Sequence, residues 1–218
     1  MLETLDPAAC FLEALQAARA PATPYKHWRL RHILPAAMLD GITALPVPAP
    51  AIADTQGRRE THNSTRWFFG SAAQQQFPVC AALAQTLQSP SVIAALQARC
   101  AVNLQGSYLR IEYCQDSNGF WLEPHTDIGA KIFTMLIYLS DSPPGEDWGT
   151  DIYVNAQSPA GTIAFRRNQG LIFIPGSNSW HGFAKRPITG VRRSLIVNYV
   201  VPDWRARHEL CFPGTPVP

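Results

Sequence analysis

Two short segments carry side chains whose types and spacing could hold a metal ion. Pro124-His125-Thr126-Asp127 sets an imidazole two positions from a carboxylate, and Trp180-His181-Gly182 supplies a second imidazole far along the chain. In an extended strand, side chains two apart project to the same side, so His125 and Asp127 can offer a ring nitrogen and a carboxylate oxygen to one ion. A facing strand carrying His181 would complete three ligands on one side and leave the other side open. Two imidazoles and one carboxylate so arranged suit a redox-active divalent ion such as Fe(II), with zinc as the competing occupant. Taken alone the pair is a weak signal, because a histidine two residues from an aspartate also arises as a hydrogen-bonded surface couple.

A second constellation follows His181 in Gly190-Val191-Arg192-Arg193-Ser194-Leu195-Ile196-Val197-Asn198-Tyr199. On a strand, Arg192 and Ser194 point together and offer a planar guanidinium and a hydroxyl to a carboxylate. A buried guanidinium needs an anion, and a cosubstrate with one carboxylate at the metal and another at its far end would supply it. Arg193 points the opposite way and becomes the rival anchor if the register slips by one.

The elements that must position these residues change character near residue 105. Before it the periodicity is helical. Asp6 reads as an N-cap and Pro7 as the first helical residue, with Phe11, Leu12, Leu15 and Ala18 on one face. Ser71-Ala72-Ala73-Gln74 has the spacing of a capping box, and Ser89-Pro90 repeats the cap-then-proline start, which predicts helices over roughly 71–88 and 90–99. After it the segments are short, β-branched and aromatic, predicting strands at 108–114, 132–139, 151–154, 162–165, 171–174 and 194–201. Ser117-Asn118-Gly119, Pro143-Pro144-Gly145, Ser158-Pro159-Ala160-Gly161 and Pro175-Gly176 read as turns between them. Helices followed by many short strands favour a mainly β fold, a sandwich or jelly roll with flanking helices. One domain over 1–218 is expected: helical support in 1–105, a β core in 106–201 and a tail in 202–218.

Composition narrows the function classes. A net charge of +2 advertises no nucleic-acid partner. Charged residues make up 16%, below the usual quarter, and 19 prolines argue for many turns rather than disorder or a helical bundle. No stretch is long and apolar enough to span a membrane, and Met1-Leu2-Glu3-Thr4 does not resemble a signal peptide. Five scattered cysteines, with no Cys-x-x-Cys pair, read as small buried hydrophobes in a reducing, cytoplasmic setting.

In their order these segments resemble the Fe(II)- and 2-oxoglutarate-dependent dioxygenases. The resemblance covers about residues 106–201. It runs from Leu109-Arg110-Ile111-Glu112-Tyr113 through His125 and Asp127, the Thr134-to-Leu139 strand, Gly149-Thr150-Asp151, the Gly170-to-Gly176 segment and His181 to the Arg192-x-Ser194 strand. It implies a double-stranded β-helix with N-terminal helices packed on one sheet, and Fe(II) on His125, Asp127 and His181. It further implies 2-oxoglutarate gripped by Arg192 and Ser194, and a C–H bond of a small molecule or side chain hydroxylated by dioxygen with release of succinate and carbon dioxide, ascorbate being a possible support. Asp127 favours hydroxylation, since related halogenases carry a small residue there. Tyr113 and Tyr138 are expected chiefly to pack the core, though either hydroxyl is a candidate to hydrogen-bond a carboxylate of 2-oxoglutarate.

A cupin-like metal-containing module that binds a small molecule or sugar without turnover is the alternative, disfavoured because cupins usually present His-x-His. A nucleic-acid demethylase is disfavoured by the near-neutral charge. Trp148 and Trp180 read as core or lid aromatics, 140–150 as a lip of the cleft, and Arg66-Trp67-Phe68-Phe69, after the polar Thr61-His62-Asn63-Ser64, as a packing segment beside it. His27, His32, His62 and His208 lack partnered spacing and are expected at the surface.

Overall fold

The computed structural model describes residues 6–59 and 66–218. Helix α1, Pro7–Gln16, starts as the sequence predicts: the Asp6 carboxylate accepts the Ala8 N–H at 3.1 Å, and Phe11, Ala14 and Leu15 are buried. A strand, β1 (His27–Arg31), and a helix, α2 (Ala36–Thr43), follow without a clear sequence signal. After the two-residue β2 (Trp67–Phe68), the single helix expected over 71–88 is two helices, α3 (Ser71–Gln76) and α4 (Pro78–Gln88). They part at Phe77, whose φ of −126° and ψ of 104° are extended, because the Pro78 ring excludes the helical conformation from the residue before it. Ser71 does not cap α3; Gly70 does, and the Gln74 amide donates instead to the Phe69 and Cys211 carbonyls, each at 2.7 Å. Helix α5, Pro90–Cys100, ends on Ala101 in the left-handed region at φ 54°.

Eight strands follow: β3 (Tyr108–Asp116), β4 (Leu122–His125), β5 (Lys131–Tyr138), β6 (Thr150–Asn155), β7 (Ser158–Ile163), β8 (Gln169–Phe173), β9 (His181–Phe183) and β10 (Arg192–Val200). With β1 and β2 they make two antiparallel sheets, six strands in the order β1-β8-β5-β10-β3-β2 and four in the order β4-β9-β6-β7. The chain crosses repeatedly between the sheets, so strands distant in sequence become neighbours. Ser158-Pro159-Ala160-Gly161 is not the expected turn but lies within β7. Proline is tolerated there because β7 is an edge strand, where a missing N–H need break no ladder bond. Gly149 is required by close approach: a Cβ there would sit 2.2 Å from the Ile163 carbonyl oxygen.

Alternation along the strands divides the six-stranded sheet into two faces. Leu109, Ile111, Phe133, Met135, Ile137, Leu195, Val197 and Tyr199 join Phe11, Leu83, Leu87 and Leu96 of the helices in one apolar cluster. The other face contributes Tyr138, Leu171 and Phe173 to a second cluster with Ile152, Ile163 and Phe183 of the four-stranded sheet. The five cysteines carry no disulfide, and four are buried. No single helix among the described residues is long and apolar enough to cross a membrane. His27, expected at the surface, is fully buried; its Nδ1 meets the Tyr25 carbonyl at 2.9 Å and its Nε2 the Arg29 Nε at 3.2 Å, which satisfies both nitrogens away from water.

Candidate metal centre

Strand β4 ends on His125, which pairs in register with His181 at the start of β9. The two rings lie with centroids 4.4 Å apart, and Asp127 follows just beyond the end of β4. One ligand atom from each of His125, Asp127 and His181 falls within 4.8 Å of the others. Nδ1 of His125 lies 2.7 Å from the Glu123 carbonyl, and Nδ1 of His181 lies 2.9 Å from that of Ser179. A carbonyl can only accept, so each Nδ1 carries a proton, and Nε2 is the nitrogen each ring can turn to an ion. Burial, reinforced by His125, lowers the His181 pKa to about 4, against an upward pull from Asp127, so the ring is neutral at neutral pH, as a ligand must be. Burial pushes the Asp127 carboxyl up, but the Lys131 charge, His181 and the hydrogen bonds from Lys131 and Thr134 prevail and hold it below the usual range. Lys131 Nζ donates to Oδ1 at 2.5 Å and Thr134 Oγ1 to Oδ2 at 2.6 Å. Two imidazoles and one anionic carboxylate thus converge from one side, a donor set that fits a divalent ion.

These three residues line a cavity of about 350 Å³ together with Arg192, Ser194 and Ile196 of β10. Arg193 faces the opposite way, its Nε 3.3 Å from Gln115 Oε1. Arg192 is buried; Nε donates to the Trp148 carbonyl at 2.7 Å and Nη1 to Asp116 Oδ2 at 2.6 Å. Its guanidinium lies 4.8 Å from the ring centres of both Phe165 and Phe183. Asp116 also accepts from Arg59 Nη1 at 3.0 Å, so Arg59, Asp116 and Arg192 form a triad with one net positive charge. The Tyr138 hydroxyl sits behind the wall, 2.8 Å from Oγ1 of Thr150, which lines the cavity. Tyr113 is not brought to the cavity. It shares the parity of Leu109 and Ile111 on β3, so it joins the helix-facing cluster, edge-on to Trp67 at 6.2 Å.

In the expected lip, Trp148 is buried and binds Arg192 through its carbonyl. The segment beside the cleft serves both sides: Arg66 lines the cavity while Trp67 and Phe69 pack against the core. Thr61, His62, Asn63 and Ser64 lie outside the described residues. His32 and His208 are exposed.

No protein-family model matches the chain, and no curated protein matches it. Solved structures do. A prolyl 4-hydroxylase from Phytophthora capsici superposes with a TM-score of 0.61 at 14% identity, over 94% of this chain and 68% of that one. A prolyl hydroxylase from Trichoplax adhaerens, in complex with a hypoxia inducible factor oxygen degradation domain peptide, gives 0.60 at 14% over 91% of each chain. HygX from Streptomyces hygroscopicus, with nickel and 2-oxoglutarate bound, gives 0.53 at 13% over 80% of this chain and 81% of that one. The fold is that of the 2-oxoglutarate- and Fe(II)-dependent oxygenases. A fold hosts many activities, so the chemistry of this oxygenase fold has to be argued from its site.

Sequence reasoning missed the charged wall of that site. Glu112 accepts from Arg66 Nε at 2.9 Å and Nη2 at 2.7 Å, and from Arg110 Nη2 at 2.8 Å, while Arg110 Nε reaches Glu209 at 2.6 Å. Although burial pushes it up, these guanidinium groups hold the Glu112 carboxyl well below the ordinary carboxylate range. One signal was available: Leu109-Arg110-Ile111-Glu112 alternates apolar and charged residues, which puts Arg110 and Glu112 together on the face opposite Leu109 and Ile111.

Proposed function

We propose that this chain is an Fe(II)- and 2-oxoglutarate-dependent oxygenase on a double-stranded β-helix, residues 1–218 acting as one domain, that hydroxylates a C–H bond of a small molecule or side chain. The observation that carries this reading is the convergence on one cavity of His125, Asp127 and His181 with Arg192 and Ser194. Fe(II) would be held by Nε2 of each histidine and an oxygen of Asp127. With dioxygen and 2-oxoglutarate, Fe(II) supplies the oxidation that turns C–H into C–OH while 2-oxoglutarate becomes succinate and carbon dioxide.

The chain's own residues place and shield the reactants. Arg192 and Ser194 take the far carboxylate of 2-oxoglutarate, and the single positive charge of the Arg59–Asp116–Arg192 triad is what one carboxylate neutralises. Phe165 and Phe183 cover the guanidinium, which keeps water from weakening that pairing. Tyr138 fixes Thr150 in the wall, and Phe120, Leu122 and Leu136 make the cavity partly apolar, limiting water beside the reacting bond.

Calorimetry with Mn(II) as an inert ion tests the reading. One Mn(II) should bind per chain, 2-oxoglutarate should bind only with it, and His181→Ala should lose both. With Fe(II), ascorbate, dioxygen and 2-oxoglutarate, the parent should release succinate slowly above the background of His181→Ala. Absence of 2-oxoglutarate binding together with no succinate above that background overturns the oxygenase. Metal and ligand binding without succinate would instead describe a cupin-like binder.

A further inference from the structure

A hydrogen-bonded chain crosses three strands of the six-stranded sheet and ends on Asp127. Arg110 of β3 donates from Nη1 to Asn198 Oδ1 of β10 at 3.0 Å, and Asn198 donates from Nδ2 to Thr134 Oγ1 of β5 at 2.9 Å. Thr134 then donates to Asp127 Oδ2 at 2.6 Å. The register explains the line: β10 lies between β3 and β5, with Asn198 directly opposite Arg110 on one side and Thr134 on the other.

The polarity of the chain is fixed from its far end. A guanidinium only donates, so it must face the amide oxygen of Asn198, and the amide nitrogen must then face Thr134. The Thr134 oxygen accepts there, which leaves its one proton for Asp127, an acceptor when ionised. Arg110 cannot turn away, because Nε is held by Glu209 at 2.6 Å and Nη2 by Glu112 at 2.8 Å. Asn198 and Arg110 are 0% and 2% exposed. Packing alone does not call for an amide there, since Ile196, two positions earlier on the same face, is accommodated as an apolar residue. Lys131 holds the other oxygen of Asp127, but a divalent ion repels that ammonium, whereas the Thr134 hydroxyl is neutral and compatible with the ion.

We propose that Asn198 and Arg110 are positioning residues that, through Thr134, fix the orientation of the Asp127 carboxylate and so set the divalent-metal affinity of the site without touching the ion. The inference rests on the metal site proposed above.

The test is Mn(II) affinity of the metal-free protein, followed by the electron paramagnetic resonance of free Mn(II), with folding checked by circular dichroism. Thr134→Val, nearly isosteric, should weaken binding by roughly tenfold or more, the usual cost of losing a partner behind a metal ligand, and Thr134→Ser should restore it. Asn198→Leu should weaken it by a comparable factor, and the Thr134→Val/Asn198→Leu double variant should be no weaker than the worse single, as members of one chain are not additive. Should Asn198→Leu not fold, Asn198→Ser, too short to span both partners, replaces it. His181-dependent Mn(II) binding that ignores Thr134→Val and the Asn198 variant, or weakening that is additive in the double, overturns the inference alone. Binding that is absent in the parent, or unchanged in His181→Ala, overturns the metal reading and this inference with it.

Discussion

The two faces of the six-stranded sheet are built from the same strands one residue out of phase, and both are buried. Toward the helices stand Leu109, Ile111, Phe133, Met135, Ile137, Leu195, Val197 and Tyr199. Toward the cavity stand Arg110, Glu112, Asp116, Thr134, Arg192, Ser194 and Asn198, all of them also buried. Burial therefore does not separate the support from the site; directionality does. The apolar face gains from non-directional exclusion of water and degrades gradually as volume is lost. Its opposite is held by charge-assisted bonds at set angles, where removing a carboxylate shared by two guanidinium groups leaves buried positive charge uncompensated.

The sharpest way to break this contrast is Glu112→Ala, which leaves Arg66 and Arg110 without their shared carboxylate. A loss of about 3–5 kcal/mol in urea unfolding is expected, as for a buried ion-pair network that loses one of its carboxylates; a loss near zero would mean that water reaches the cavity face and the contrast is false. The same residue supplies a pH signature. Its folded pKa lies well below the 4.5 of an unfolded glutamate, so its contribution is fully present above pH 4.5 and is lost as the pH falls from there toward the folded value. Stability measured from pH 6 downward should drop below that point in the parent, and Glu112→Ala should lack that component.

Leu195→Ala, on the same strand but facing the helices, should cost about 2–5 kcal/mol through the cavity it leaves, while 2-oxoglutarate affinity in the presence of Mn(II) stays at the parental value. A shift in that affinity would show that the faces are coupled through β10. Arg192→Ala should do the reverse: Asp116 keeps Arg59, so folding is largely retained, but the 2-oxoglutarate Kd should rise more than tenfold, in line with about 1.5–3 kcal/mol for a charge-assisted pair. The smallest effect belongs to Arg193→Ala, under about 0.5 kcal/mol for a half-exposed position, with the Kd unmoved in calorimetry. An Arg193 effect larger than that of Arg192 would put β10 one residue out of register in solution.

The same-side placement of His125 with Asp127 and of Arg192 with Ser194 was legible in the sequence because each pair depends on a local rule, whereas His181 was singled out by its place in the order of motifs. Period-two spacing puts Arg192 and Ser194 on one side whatever the strand pairs with, and the structure places both on the cavity. The start of α1 was equally local, an aspartate accepting a backbone N–H two residues on. The break at Phe77 was also written locally, in the proline that follows it, but was outweighed by a capping-box pattern that Gln74 does not use. Which face of β3 looks into the cavity could not be read locally. Positions 109, 111 and 113 share one side and 110, 112 and 114 the other, so placing Tyr113 against the helices and Glu112 in the site depended on where the helices pack. The pairing of His125 with His181, the Arg110–Glu209 bond and the line from Arg110 to Asp127 join residues from separate parts of the chain. They exist because β9 lies beside β4, and β10 between β3 and β5. Strand order is settled by how two sheets and their helices bury apolar surface together, a property of the whole chain that no window of sequence contains.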